Sequence, residues 1–260
     1  MNNVFTAEFS YLKNNFIDCI NNFKYSGTLI GDENRNIVKH FDINGLKVNF
    51  KSFKQPNPFN RLVYTYFRKT KARRSFEYAN LLISKNFNTP TPIAYFEYNT
   101  FLGLTSSYYI SEHLENTFTL REVMRSTFFK DREELIKKYT LIMYQLHENG
   151  IEFIDNNSAN FLIKLIENQY SFFIVDLNRM NFYHKMKISK RLKNISKITS
   201  DLEIIKIIST EYALLSGLKQ EYCLKRIINA SKKQQYKRAL KNKLKFYKSF
   251  RLYKSKITIY

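Results

Sequence analysis

Tryptophan is absent from the 260 residues, and cysteine (2), proline (4) and glycine (6) are scarce. So little glycine and proline excludes collagen-like and low-complexity chains. Cys19 and Cys223 stand in no metal-ligand spacing, which argues against a disulfide scaffold or zinc module and fits a reducing compartment. No stretch approaches the roughly 18 uninterrupted apolar residues that a bilayer span needs. Glu8 lies where a signal peptide would have its apolar centre, with no basic region before it, so a cytosolic location is expected. Acid is short as well: 22 Asp and Glu face 43 Lys and Arg, a formal charge of +21. Such a surplus suits an anionic partner, whether nucleic acid, acidic lipid or a phosphorylated glycolipid, and charge alone does not choose among them. The 44% of apolar residues is enough for one large domain or two modest lobes with a real core.

The first half is mostly strand-like. Apolar residues at Phe9, Leu12, Phe16, Ile20 and Phe23 have helical spacing and open the chain with an amphipathic segment. In NIVKHFDINGLKVNFKSFK, two strand-like runs flank Asn44-Gly45, a strong hairpin signal. Leu46, Val48 and Phe50 then face one way, and Lys47, Asn49 and Lys51 the other. After PNP, residues 71–86 read as a helix that stops before the prolines of FNTPTP. Strands are expected at 93–98 and 107–114. Beyond Thr117, Leu135, Tyr139, Ile142 and Leu146 mark a long helix ending at Gly150. Short strands follow at 161–166 and 171–177, and nearly everything after Ser189 reads as helix. The pattern is α+β, a β-rich lobe with one prominent helix followed by a helical lobe. The expected partition is 1–114, 115–230, and a basic amphipathic tail over 231–260.

The chemistry concentrates in LHENGIEFIDNNSANFLIKLIENQYSFFIVDLNRM. Asp155 is followed five residues later by Asn160, and Asp176 closes the apolar run Phe172–Val175. Phosphoryl transfer needs a carboxylate to accept the substrate hydroxyl's proton, and oxygen ligands to hold Mg²⁺ on the nucleotide phosphates. Asp155 suits the first role, and Asn160 and Asp176 the second. D-x-x-x-x-N alone is common in surface turns. It gains weight from the preceding L-H-x-x-G-I, from Lys51 on a strand after a hairpin, and from Glu77 on the prominent helix, where it could pair with Lys51.

In that order, these stretches resemble the lipopolysaccharide kinase family, the Kdo and heptose kinases that phosphorylate inner-core sugars. The resemblance is carried by NIVKHFDINGLKVNFKSFK, RRSFEYANLL with NTPTPIAYFE, SYYISEHL, LHENGIEFIDNNSANFL and IVDLNRMNF, over about residues 25–215. Asp176-Leu177-Asn178-Arg179 is similar to that family's metal-binding motif. The resemblance implies a protein-kinase-like two-lobed fold with ATP and Mg²⁺ as cofactors. By the same resemblance, Lys51 is the nucleotide lysine with Glu77 as its partner, and Asp155 is the base. Asn160 and Asp176 are then the metal ligands, and Glu112 opens the hinge whose backbone meets adenine. The implied acceptor is an inner-core glycolipid such as Kdo–lipid A, with Kdo ahead of heptose because the chain is compact. A kinase of another substrate and an inactive kinase-like binding module are the rival readings.

Three features depart from the family's pattern. Phe153 stands where a histidine is usual, two residues before the base. Gly27 and Gly31, around SGTLIGDENRN, make no G-x-G-x-x-G, which leaves amides near Gly31–Asn34 to cover the phosphates. Asn156-Asn157 follow the base. Basic residues gather in two further places. HKMKISKRLKN offers Lys187, Lys190, Arg191 and Lys193 to the anionic groups of an acceptor. From Lys219 onward, fourteen Lys and Arg face the single Glu221, with Tyr236, Leu240, Leu244 and Tyr247 at helical spacing. That composition suits an anionic membrane surface, or else a basic helix packed on the helical lobe. Nucleic acid is not expected, since no recognised module accompanies the stripe.

Overall fold

The structure is a computed structural model, and it describes residues 1–31 and 36–257. Two compact units interleave along the chain. One is Met1–Thr119 with Asn160–Met180; the other is Leu120–Ala159 with the residues from Asn181 onward. In chain order the first unit supplies β1 (Asn2–Phe5), a 3-10 turn, α1 (Lys13–Asn21), β2 (Thr28–Ile30), β3 (Asn36–Ile43) and β4 (Leu46–Phe53). It continues with α2 (Pro58–Tyr66), α3 (Lys71–Ser84), β5 (Pro92–Thr100), β6 (Gly103–Glu112) and β7 (Thr117–Thr119). The second unit begins with α4 (Leu120–Arg125), α5 (Arg132–Glu148) and β8 (Ile151–Phe153). The chain then returns to the first for β9 (Phe161–Ile166) and β10 (Gln169–Ile174). It ends with β11 (Met180–Phe182), α6 (Ile188–Ile195), α7 (Leu202–Ser216) and α8 (Gln220–Ile257).

In the first unit, six antiparallel strands lie in the order β1-β5-β6-β4-β3-β2. The β3–β4 turn forms at Asn44-Gly45, as the dipeptide predicts: both residues have positive φ (55° and 83°), and the Gly45 N–H donates to Asp42 Oδ1 at 2.8 Å. From that turn, alternation along β4 sends Val48 and Phe50 into the core. Leu12, Phe16, Ile20 and Phe23 of the opening segment pack there, with the Phe16 and Phe50 rings edge to face at 5.8 Å. Fully burying each such ring is worth about 2 kcal/mol, so the hydrophobic face fixes register and thereby aims Lys51 the other way. A second sheet, β10-β9-β7, belongs to this unit because Thr117–Thr119 pairs with Leu162–Lys164.

Two elements go beyond the sequence expectation. β1 adds an edge strand against β5. Pro58 starts a helix instead of breaking one: it sits in the first turn of α2, where its missing N–H costs nothing, and Asn57 Oδ1 caps the Asn60 N–H at 2.8 Å. The prominent helix of the first half therefore has a companion.

In the second unit, α5 buries Leu135, Ile136, Tyr139, Met143 and Leu146. Gly150 ends it at φ 69°, and a Cβ there would lie 1.9 Å from the Tyr183 carbonyl oxygen, so only glycine fits. Buried Cys223, Ile227 and Ser231 hold α8 against its neighbours, and the helix runs unbroken through residue 231. Tyr236, Leu240 and Tyr247 are exposed, so this part of the apolar stripe is not packed on the helical lobe. The amides near Gly31–Asn34 expected over the phosphates fall largely outside the described residues.

Candidate active site

A cavity of about 370 Å³ opens in the first unit, within the size range of small-molecule sites. Val38, Leu114, Leu162 and Leu177 give it apolar walls, and Lys51, Asn160 and Asp176 line its polar end. Register explains the lysine. Lys51 pairs across to Tyr109 and Asn49 to Ser111, and directly opposed residues share a face, so all four line the cavity. Asp176 follows β10 at φ 61°, a strained conformation for a residue with a side chain and one that concentrates at functional sites. The Val175 N–H donates to the Asn160 carbonyl at 2.9 Å, tying Asp176 to Asn160. The Asp176 Oδ1 accepts from Lys51 Nζ and, at 2.7 Å, from Asn178 Nδ2. Asn178, itself buried, aims the carboxylate, a role that spacing in the sequence does not reveal.

Glu77 does not pair with Lys51. Its two carboxylate oxygens accept from Lys69 Nζ at 2.7 Å and Arg73 Nε at 2.9 Å. Arg73 is one helical turn away, so a local partner takes the carboxylate before the distant strand can. Burial raises the Glu77 pKa, but these two cations outweigh it and leave the carboxyl more acidic than usual. Glu112 closes β6, where its side chain accepts from Thr91 Oγ1 at 2.8 Å and its N–H donates to the Thr91 carbonyl. Alternation turns Glu112 away, and it is Ser111, His113 and Leu114 that line the cavity there.

In the second unit, Asp155 lies half-buried on a loop tied at almost every residue. Asn194 Nδ2 donates to the Phe153 carbonyl at 2.8 Å, and Lys197 Nζ to the Ile154 carbonyl at 3.0 Å. Asn156 Nδ2 donates to the Asn194 carbonyl and to Tyr139 Oη, and Arg121 reaches Asn157 Oδ1 at 3.1 Å. Phe153 itself is fully buried. The carbonyls at 153 and 154 are held by Asn194 of α6 and by Lys197 just beyond it, and the ring at 153 fills the core. The sequence marks Asn156 only as a departure beside Asp155 and Tyr139 only as part of a buried stripe, and it does not mark Asn194 as a site residue. The available signal was a polar Asn194 on the buried face that α6 shares with Leu192 and Ile195.

His147 completes this network. Asn194 is oriented by its donation to Phe153, so its Oδ1 faces His147 Nε2 at 3.1 Å, which makes Nε2 the protonated nitrogen. Nδ1 then accepts from Tyr212 Oη at 2.9 Å. Burial pushes the His147 pKa down from 6.5 to about 4. The unfolded chain thus takes up this proton first as pH falls, and stability present above pH 6.5 drains away toward pH 4. The loss should reach about 3 kcal/mol in urea denaturation at stepped pH. His147→Gln should lack that component.

The sequence profile described as "Lipopolysaccharide kinase (Kdo/WaaP) family" matches residues 32–213. The chain belongs to the lipopolysaccharide kinase family. Among solved structures, it is similar to "WaaP in complex with acyl carrier protein", with TM-score 0.61 and 15% identity over 90% of this chain and 99% of that one. It also matches the Rio2 kinase–ADP/Mg²⁺–phosphoaspartate complex from Chaetomium thermophilum, with TM-score 0.48 and 14% identity, over 90% of this chain and 78% of that one. No curated protein matches. The likeness to the WaaP structure shows a shared fold, which in this chain has a β-rich part and a helical part.

Proposed function

We propose that this lipopolysaccharide kinase transfers the γ-phosphoryl group of Mg-ATP to a hydroxyl of an inner-core sugar. The observation that carries the reading is the single cavity in which Lys51, Asn160 and Asp176 meet behind apolar walls. Among the described residues no cluster of three or more His, Cys, Asp or Glu forms an all-protein metal cage. Asp176 and Asn160 instead offer two hard oxygen ligands, which suits Mg²⁺, an ion that keeps several waters and substrate phosphates in its shell. When bound there, the ion offsets negative charge on the phosphates. Lys51 neutralises phosphate oxygens deeper in the cavity, and Asn178 keeps Asp176 aimed. Asp155 accepts the proton of the acceptor hydroxyl.

Kdo is placed ahead of heptose on chain compactness alone, so the assay presents both acceptors. The exposed Tyr236, Leu240 and Tyr247 beside the basic residues of α8 support work at an anionic membrane surface, on its cytoplasmic side.

The test is incubation with ATP, Mg²⁺ and purified Kdo–lipid A or its heptosylated form, read by mass spectrometry. One phosphoryl group should be gained on the sugar. Asp155→Asn should keep the thermal stabilisation by Mg-ATP while transfer falls about a thousandfold. Unchanged transfer removes Asp155 as the base. A wild-type chain indifferent to Mg-ATP favours a binding module instead.

A further inference from the structure

The basic run of residues 184–194 divides into two kinds of side chain. Arg191 is buried, donates to the Met186 carbonyl at 2.8 Å and pairs with Glu148, so it serves the interior and not an acceptor. Lys190 and Lys193, one helical turn apart on α6, face outward instead. They line a groove of about 550 Å³ together with Arg226, Lys233 and Lys237 of α8. Those three recur at i, i+7 and i+11 and so share one face of α8, beside the buried Cys223–Ile227–Ser231 stripe. The groove is held by Ser231 Oγ on the Thr199 carbonyl and by Gln234 Nε2 on Ser196 Oγ.

Glu152 is the one acid in the lining, and it is already engaged by Asn181 Nδ2 and Tyr183 Oη. Lys190 donates to that same Tyr183 hydroxyl. Lys193, Arg226, Lys233 and Lys237 have no carboxylate partner among the described residues. Cations gathered in one concavity repel one another, and that cost is relieved when an anion enters. Arg226 and Lys237 lie roughly 16 Å apart along the helix, a reach that spans more than a single phosphate. Among the described residues no aromatic ring lines the groove to stack a base, which speaks against nucleic acid. The basic face also runs on past the groove to exposed Lys241, as an extended anionic surface requires.

We infer that the α6–α8 groove binds the phosphomonoester headgroups of a membrane lipid. This rests on the membrane-surface reading above and is independent of the phosphotransfer reading. The probe is the full chain mixed with phosphatidylcholine vesicles doped with phosphatidic acid, or with phosphatidylglycerol at matched surface charge. Retention should favour phosphatidic acid, whose phosphate is a monoester. Lys193→Glu with Lys233→Glu should cost about tenfold or more in partitioning. Lys225→Glu with Lys232→Glu makes the same change in net charge on exposed positions off the groove, and should cost much less. If the first pair does not fold, Lys193→Gln with Lys233→Gln takes its place. Equal losses in the two pairs, no loss in either, or no preference for the monoester would each overturn the inference. So would a soluble sugar phosphate that stabilises the protein while vesicles do not retain it. Mg-ATP stabilisation, measured on every variant, should be unchanged. Its absence with vesicle binding intact would strike the kinase reading alone.

Discussion

Asp176→Asn should leave the chain folded while lowering phosphoryl transfer by about a thousandfold. Asparagine has the same shape, and of the residues with side chains it is among the most tolerant of positive φ, so the 61° backbone angle at this position is not a reason for it to unfold. Its Oδ1 still accepts from Lys51 and from Asn178. What disappears is one negative charge. The ion pair with Lys51 is partly exposed and contributes no more than about 1 kcal/mol to stability. The same charge is worth far more opposite a divalent ion in a cavity with apolar walls, because water screens it less there. Lys51→Met should produce the complementary loss, weakening nucleotide binding as well as transfer. Label transfer from ATP and thermal shift with Mg-ATP, run on the same preparations, separate the two effects. An Asp176→Asn protein retaining a tenth or more of wild-type transfer would remove this carboxylate from the chemistry.

Local signals carried much of the fold. The Asn44-Gly45 turn needs only two residues with positive φ, and it forms where the dipeptide stands. Helix α5 and strand β9 likewise follow short-range patterns and form, though Met143 is buried in the α5 stripe where Ile142, expected there, is only partly so. β1 stayed hidden because an edge strand of four residues has almost no periodicity, and its pairing with β5 spans some ninety positions. α2 stayed hidden because proline reads as punctuation, although in the first helical turn it is compatible with a helix. At the site, residue types were legible and partners were not. Lys51 and Asp176 could be chosen because phosphate and metal chemistry call for those groups on a strand and just after one. That Lys51 meets Asp176, and Glu77 meets Lys69 and Arg73, is decided by competition among nearby charges in three dimensions. Asn194 lies furthest from legibility, since its importance comes from three hydrogen-bond partners contributed by separate segments.

Asn194→Leu should therefore cost about 4 kcal/mol, although leucine is close to asparagine in volume. The side chain is fully buried and serves two groups at once, accepting from His147 Nε2 and donating to the Phe153 carbonyl. Leucine leaves both without partners in the interior, and each orphaned buried polar group costs about 1–3 kcal/mol. Urea denaturation should show the midpoint shift without a change in slope. Phe153→Leu is the informative companion: it removes part of a ring from the same core and should cost roughly half as much, but it leaves the carbonyl at 153 tied to Asn194. Transfer should survive in Phe153→Leu and fall in Asn194→Leu even at temperatures where both are folded. The loop that presents Asp155 is positioned by what holds its backbone, whatever aromatic or aliphatic group sits at 153. The reverse ordering of the two variants would return that positioning role to the side chain at 153.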